Sequence, residues 1–233
     1  MRNLLIAVIV AALLYSGFWF FAANRGNAQV DGWIAELEAQ GWQVSLSDRT
    51  NRGFPNRIDT TFDDLRLQSP SGHAIEAPFL QVLRLAYRPS EVIVIAPPEF
   101  EVRINDRPWQ VEAEGLRASI NVADGGWPDP VTVEMGAGLL TNPDGVAFSW
   151  GSGLAASRVN GAEEQLYLGL MDTAQSLNRL GPFRLDLNLV ETAPTWVGQG
   201  SLTGFGYDEV PIRIANGYLQ IGSDRPLALP SFP

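Results

Sequence analysis

Residues 183–189 read Phe-Arg-Leu-Asp-Leu-Asn-Leu, an unbroken alternation of apolar and polar residues. Successive side chains of a strand point to opposite faces of its sheet, so this stretch predicts a strand with one apolar and one polar face. Such strands are typical of antiparallel sheets that expose one side to water. The stretch therefore favours a β fold.

The same alternation recurs along most of the chain, at residues 43–47, 58–62, 65–68, 100–104, 109–113, 116–122, 131–135, 166–170, 212–214 and 218–221. Residues 78–87 and 92–96 are more continuously apolar and are expected in central strands covered on both faces. Residues 172–180 are predicted to form a short helix, capped by Asp172 and ended by Gly181-Pro182. The pattern predicts a mainly β fold, a curved antiparallel sheet or sandwich of about ten strands.

The N-terminal segment has a different character, because residues 4–23 (LLIAVIVAALLYSGFWFFAA) contain no charge. A helix of this length spans the roughly 30 Å hydrocarbon core of a bilayer. A signal peptide cleaved after Ala28 is the alternative, but the apolar run is longer than signal peptides need and ends in aromatic residues that suit a membrane interface. The residues expected to form the membrane anchor are Leu4, Ile9, Leu14, Trp19, Phe20 and Phe21.

Residues 30–40 predict a second, short helix, with Val30, Trp33, Ile34 and Leu37 on one face and Gly41 at its end. We expect this face to pack on the first strands; lying in the membrane interface is the alternative. The predicted organisation is a transmembrane anchor (1–24), a short linker helix (25–41) and a β-rich domain (42–233). The slight positive excess before the span predicts a single-pass protein with this domain outside the cytoplasm. In a Gram-negative bacterium this is an inner-membrane protein with a periplasmic domain.

Composition excludes several classes of function. The net charge is −10, which argues against nucleic-acid binding. The chain has no cysteine and no lysine, which removes disulfides, thiolate metal sites, Schiff-base chemistry and a phosphate-binding P-loop. No cofactor is expected.

Candidates for catalysis are weak. His73, the single histidine, stands in a Ser-Gly-His turn and is expected to be exposed, with no sign of a nucleophile beside it. The acidic pairs Asp63-Asp64, Glu163-Glu164 and Asp208-Glu209 consist of adjacent residues, which point to opposite faces of a strand. We therefore predict that the protein is not an enzyme, a hydrolase being the remote alternative, and we name no catalytic or metal-binding residue.

Two short motifs carry a resemblance to a known family. Gly53-Phe54-Pro55-Asn56-Arg57 precedes one alternating run, Tyr87-Arg88-Pro89 closes a long apolar run, and Gly41-Trp42 ends the predicted linker helix. In these residues the chain resembles DUF2125, an uncharacterised bacterial family, over roughly residues 1–125. The resemblance implies an alphaproteobacterial protein with one transmembrane helix and a β-rich periplasmic domain, and it assigns no activity. From the residues themselves we expect a structural turn, with Arg57 paired to Asp59 or Asp63.

The end of the chain, residues 216–221 and Pro226-Leu227, is similar to the strand pairs of AsmA-like inner-membrane proteins. That similarity implies a role in envelope lipid homeostasis through an apolar β-groove. The many apolar side chains of a one-sided sheet need a cover, which is either the sheet itself, curled into a closed core, or a partner in an open groove, for which a lipid-like amphiphile is the leading hypothesis. A scaffold that binds another envelope protein is the alternative. A chain freed of residues 4–23 is expected to fold but to fail in the cell.

Overall fold

In the computed structural model the N-terminal segment is one continuous helix, α1, over Arg2–Ala39. The structure describes residues 1–104, 107–122, 128–176, 178–192, 195–204, 207–215, 218–222 and 227–228. The prediction of a separate linker helix is wrong, because residues 25–39 form the second half of α1. A single glycine, Gly26, costs a helix only about 1 kcal/mol, which packing of this turn on the sheet offsets. The helix ends at Ala39, and the predicted stop residue Gly41 follows two residues later with a φ of 86°.

The rest of the described chain is β structure, which confirms the predicted fold class. Within the described residues, eighteen strands form one antiparallel sheet. Their bounds are β1 Gln43–Ser45, β2 Asp48–Arg52, β3 Arg57–Gln68, β4 Ala74–Leu85, β5 Arg88–Ile95, β6 Glu99–Ile104, β7 Arg107–Ala113, β8 Arg117–Val122, β9 Pro128–Met135, β10 Gly138–Thr141, β11 Ala147–Trp150, β12 Ser152–Asn160, β13 Glu163–Gln175, β14 Asn178–Thr192, β15 Thr195–Gly204, β16 Tyr207–Ala215, β17 Tyr218–Ile221 and β18 Leu227–Ala228.

Between β4 and β13 the strand pairings follow two separate paths. From β4 one path of pairings runs through β5, β8, β9 and β12, and the other through β6, β7, β10 and β11. Both paths meet at β13, after which each strand pairs with the next. The described strands outnumber the predicted ones because six of them, β2, β10, β11, β12, β15 and β18, have no counterpart among the predicted runs.

Two local predictions are corrected by the structure. Residues 172–180 are not a helix, since they belong to the hairpin of β13 and β14; Leu177 lies outside the described residues. Asp172 and Ser176 have φ values of 52° and 54°, so here they serve an irregular strand and a turn rather than a helix cap. The central strand β5 is covered on one face only, because Ile93 on the other face is 45% exposed.

Candidate functional site at the helix–sheet junction

Trp19 fixes α1 to the first strands of the sheet. Its side chain is 6% exposed, and its indole Nε1–H donates a hydrogen bond to the carbonyl oxygen of Arg57 at 2.7 Å. The ring also meets the Phe54 ring edge-on, with 5.7 Å between centroids. Trp19 forms a buried cluster with Ala23, Ile58 and Ala86. We call this cluster the junction; it lies where the apolar run of the helix ends.

The two motif turns flank the junction. In the β2–β3 turn Gly53 has a φ of 97°, and a Cβ there would lie 2.9 Å from the Arg57 carbonyl oxygen. The Asn56 carbonyl accepts a hydrogen bond from Ala86 N–H at 3.0 Å, which joins this turn to the β4–β5 turn. Phe54, next to Pro55, is 53% exposed, and Tyr87 in the second turn is 62% exposed.

The arginines of the two motifs form ion pairs, the first of them with a buried carboxylate. Arg57 pairs with Asp59 at 2.7 Å, one of the two partners expected for it. Arg88 pairs with Glu91 at 3.3 Å. Pro89, the last residue of the second motif, lines a cavity beneath α1.

The first half of α1 stands away from the sheet. The predicted anchor residues Leu4, Ile9, Leu14, Phe20 and Phe21 are 71%, 50%, 71%, 62% and 64% exposed. Trp19 alone among the predicted anchor residues faces the protein. Within the described residues, α1 is the one helix long and apolar enough to span a membrane.

The strand register places apolar side chains from many strands on one face of the sheet. Directly paired residues of neighbouring strands project to the same side. Two cross-strand rows result, which we call the apolar face. The first row is Thr60, Val82, Val94, Ala118, Val133, Ala155, Leu168, Leu185, Leu202 and Val210. The second is Ile58, Arg84, Val92, Ile120, Val131, Ser157, Leu166, Leu187, Gly200, Ile212 and Ile221.

The opposite face becomes polar toward the later strands. A cavity of about 370 Å³ on this side is lined by residues that include Thr132, Gln165 and Tyr167. Arg184 donates a hydrogen bond to Asp186 at 2.6 Å and lies over the Tyr167 ring at 5.4 Å. The hydrogen bond and the negative charge of Asp186 raise the pKa of Arg184.

The second half of α1 crosses the first strands of the apolar face and encloses a small apolar cavity there. The cavity has a volume of about 100 Å³; its lining includes Val30 and Trp33 from the helix and Phe62, Val82, Val94 and Ile120 from the sheet. The Trp33 face of the helix thus packs on the first strands, as predicted. Arg84 also lines the cavity, and burial lowers its pKa.

Sequence reasoning missed Arg84 and Gly26. A Cβ on Gly26 would overlap the guanidinium of Arg84, so the arginine lies directly against the helix backbone. The two residues are far apart in the sequence and no local pattern links them. The one available signal was a charged residue at an inward position of the apolar run 78–87.

The weak catalytic candidates lie apart along the chain. His73 is in the β3–β4 turn, where its N–H is bonded to Ser69 Oγ at 3.0 Å; the residue is half-buried and not exposed as expected. The three acidic pairs lie on β3, β13 and β16. In the described ranges, no three histidine or acidic side chains are grouped to hold a metal ion.

These features define a class of protein in which an apolar N-terminal helix packs its second half on a single large antiparallel sheet. The model of the family described as "Uncharacterized protein conserved in bacteria (DUF2125)" matches residues 19–137, just over half of the chain. The chain belongs to this family. The match begins at Trp19 and so includes the junction. Comparisons with curated proteins and with solved structures gave no match.

Proposed function

We propose that the protein is a single-pass inner-membrane protein that holds a lipid-like amphiphile on its apolar face, in the periplasm, without catalysing a reaction. The two apolar rows carry this proposal. The first row crosses ten described strands and contains one polar side chain, Thr60. At about 4.8 Å between strands the row is about 43 Å long, more than the length of an acyl chain in one bilayer leaflet.

The exposure of the later strands supports a ligand on this face. Leu166, Leu168, Leu185, Leu187 and Leu202 are all partly exposed, whereas the part under α1 includes the buried side chains of Ile58 and Phe62. Burying one leucine fully is worth about 1.5–3 kcal/mol. Acyl chains laid on several partly exposed leucines would gain a share of that free energy at each one.

The periplasmic location is part of the proposal and is supported by a slight excess of positive charge before the span. Arg2 and the amino terminus precede the apolar run, while Arg25 and the acidic residues Asp31, Glu36 and Glu38 follow it. Positive residues favour the cytoplasmic side, which directs the sheet outward. The likeness of residues 218–221 to AsmA-like strands agrees with a lipid role; Asn216, Gly217 and Pro226 of that motif lie outside the described residues.

The proposal predicts that lipid co-purifies with the full chain. Leu168 and Leu185 are paired neighbours in the first row. Replacing both with glutamine puts two polar groups in the middle of the face, and we expect the lipid recovered per protein, measured by mass spectrometry, to fall at least fivefold.

The matched control is Leu154→Gln. Leu154 is 40% exposed and its paired partners, Glu134 and Gly169, belong to the opposite face. This variant should retain the lipid of the wild type. Equal lipid in all three proteins, or none in the wild type, would refute binding on the apolar face.

A further inference from the structure

Arg84 is the single charged residue in the two rows of the apolar face. It stands in β4, paired with Ile58 of β3 and Val92 of β5. Strand alternation therefore directs its side chain to the side on which α1 packs. A charge at this position costs free energy unless something compensates it.

The chain makes room for the Arg84 guanidinium. Gly26 lies in the middle of α1, and any side chain there would occupy the space that the guanidinium fills. Most of the surrounding side chains, which include Val30, Trp33 and Val92, are apolar, and Gln29 and Thr60 are the uncharged polar ones. The glycine thus allows a cation to lie between the helix and the sheet.

Within the described residues the Arg84 guanidinium has no hydrogen bond and no ion pair. Other arginines have close carboxylates: Arg49 lies 2.7 Å from Asp31, Arg103 lies 2.9 Å from Glu101 and Arg184 lies 2.6 Å from Asp186. Burial lowers the pKa of Arg84, but an arginine remains charged at neutral pH. None of its five N–H donors is therefore paired within the described part of the protein, beside a largely apolar surface.

Arg84 lies close to the end of the predicted membrane segment. Arg84 is two residues from Ala86, which packs in the junction with Trp19 and Ala23. Gly26 follows Ala23 by less than one helical turn. An amphiphile that leaves the bilayer along α1 would thus meet Arg84 first and the uncovered rows afterwards.

We propose that Arg84 binds the anionic headgroup, a phosphate or a carboxylate, of an amphiphile whose acyl chain lies along the apolar face. The planar guanidinium forms paired hydrogen bonds with either group. The cavity of about 100 Å³ holds the volume of only about three water molecules, so the acyl chain extends over the uncovered rows. This inference rests on the proposed function, since it names the ligand of the same face.

Native mass spectrometry of the full chain in uncharged detergent tests the inference with two ligand pairs. Oleate and oleyl alcohol differ in a carboxylate, and phosphatidic acid and diacylglycerol differ in a phosphate. We expect the wild type to bind the charged member of at least one pair about tenfold more tightly, as a charge-assisted hydrogen-bonded contact allows. The pair that shows the preference identifies the headgroup.

Three variants locate the preference. Arg84→Gln should abolish it and leave binding of the uncharged member unchanged. Gly26→Ala, which displaces the guanidinium but keeps the charge and favours the helix, should also abolish it. Arg88→Gln removes an exposed arginine of the adjacent turn and should leave the preference intact. Thermal unfolding of each variant in the same detergent checks the fold.

The outcomes separate this inference from the proposed function. No preference in the wild type, or the same preference in Arg84→Gln and Gly26→Ala, overturns the headgroup site while binding of the uncharged ligands still supports the apolar face. Absence of binding by all four ligands in all proteins overturns both.

Discussion

Replacing Trp19 with alanine should lower the free energy of unfolding by about 3–5 kcal/mol, the usual cost of removing a large aromatic side chain from a core. Trp19 is 6% exposed and joins the helix to Arg57 through one hydrogen bond of 2.7 Å. Its loss leaves a cavity among Ala23, Ile58 and Ala86. Chemical denaturation of the full chain in a mild detergent measures the effect.

Two further variants divide this effect into parts. Trp19→Phe keeps an aromatic ring but removes the Nε1–H donor, and we expect a loss of about 1 kcal/mol beyond the reduced packing. Phe21→Ala is the control, because Phe21 is 64% exposed on the same helix. If Trp19→Ala costs no more than Phe21→Ala, the junction does not hold the helix to the sheet.

Removing residues 2–14 should transfer the protein from the membrane fraction to the soluble fraction. This deletion takes away the exposed apolar side chains from Leu4 to Leu14, and each leucine or isoleucine favours membrane insertion by about 0.3–0.6 kcal/mol. Trp19 and Ala23, which pack on the sheet, remain. The β content measured by circular dichroism should therefore be retained.

The end point of the deletion decides whether the junction is retained. The sequence alone suggests removing residues 4–23, but that deletion also removes Trp19 and Ala23 from the junction. We expect the longer deletion to be less stable than the shorter one by about the cost of Trp19→Ala. A shorter deletion that still sediments with membranes would contradict anchoring by the apolar half of α1.

Most strands could be predicted from the alternation of apolar and polar residues, because this alternation reflects the different surroundings of the two faces of each strand. The run 183–189 pairs with β13 and β15 so that Leu185 lies between Leu168 and Leu202. The breaks that divide the long strands are encoded less clearly: one is the Pro97-Pro98 pair, and another contains Gly115, with a φ of 58°. Both resemble ordinary turns in the sequence.

The features that sequence reasoning missed depend on contacts between distant residues. The end of the apolar run at Ala23 and the separate apolar face of residues 30–40 suggested two helices, whereas α1 is continuous through Gly26, which lies against Arg84. Asp172 suggested a helix cap because aspartate is common at helix N-termini. Aspartate also tolerates a positive φ, which is the conformation that Asp172 has within β13. The motif turns at Gly53 and Tyr87 were recognisable, but their place beside Trp19 was not.

The most direct test of the central claim is photo-crosslinking in living cells with a photoreactive amino acid at Leu168 or, as the control, at Tyr167. Leu168 belongs to the first apolar row, and Tyr167 lines the polar cavity on the opposite face. We predict an adduct of lipid mass at position 168 and none at position 167. Adducts of protein mass at position 168 would instead favour the scaffold alternative, and equal labelling at both positions would contradict an amphiphile on the apolar face.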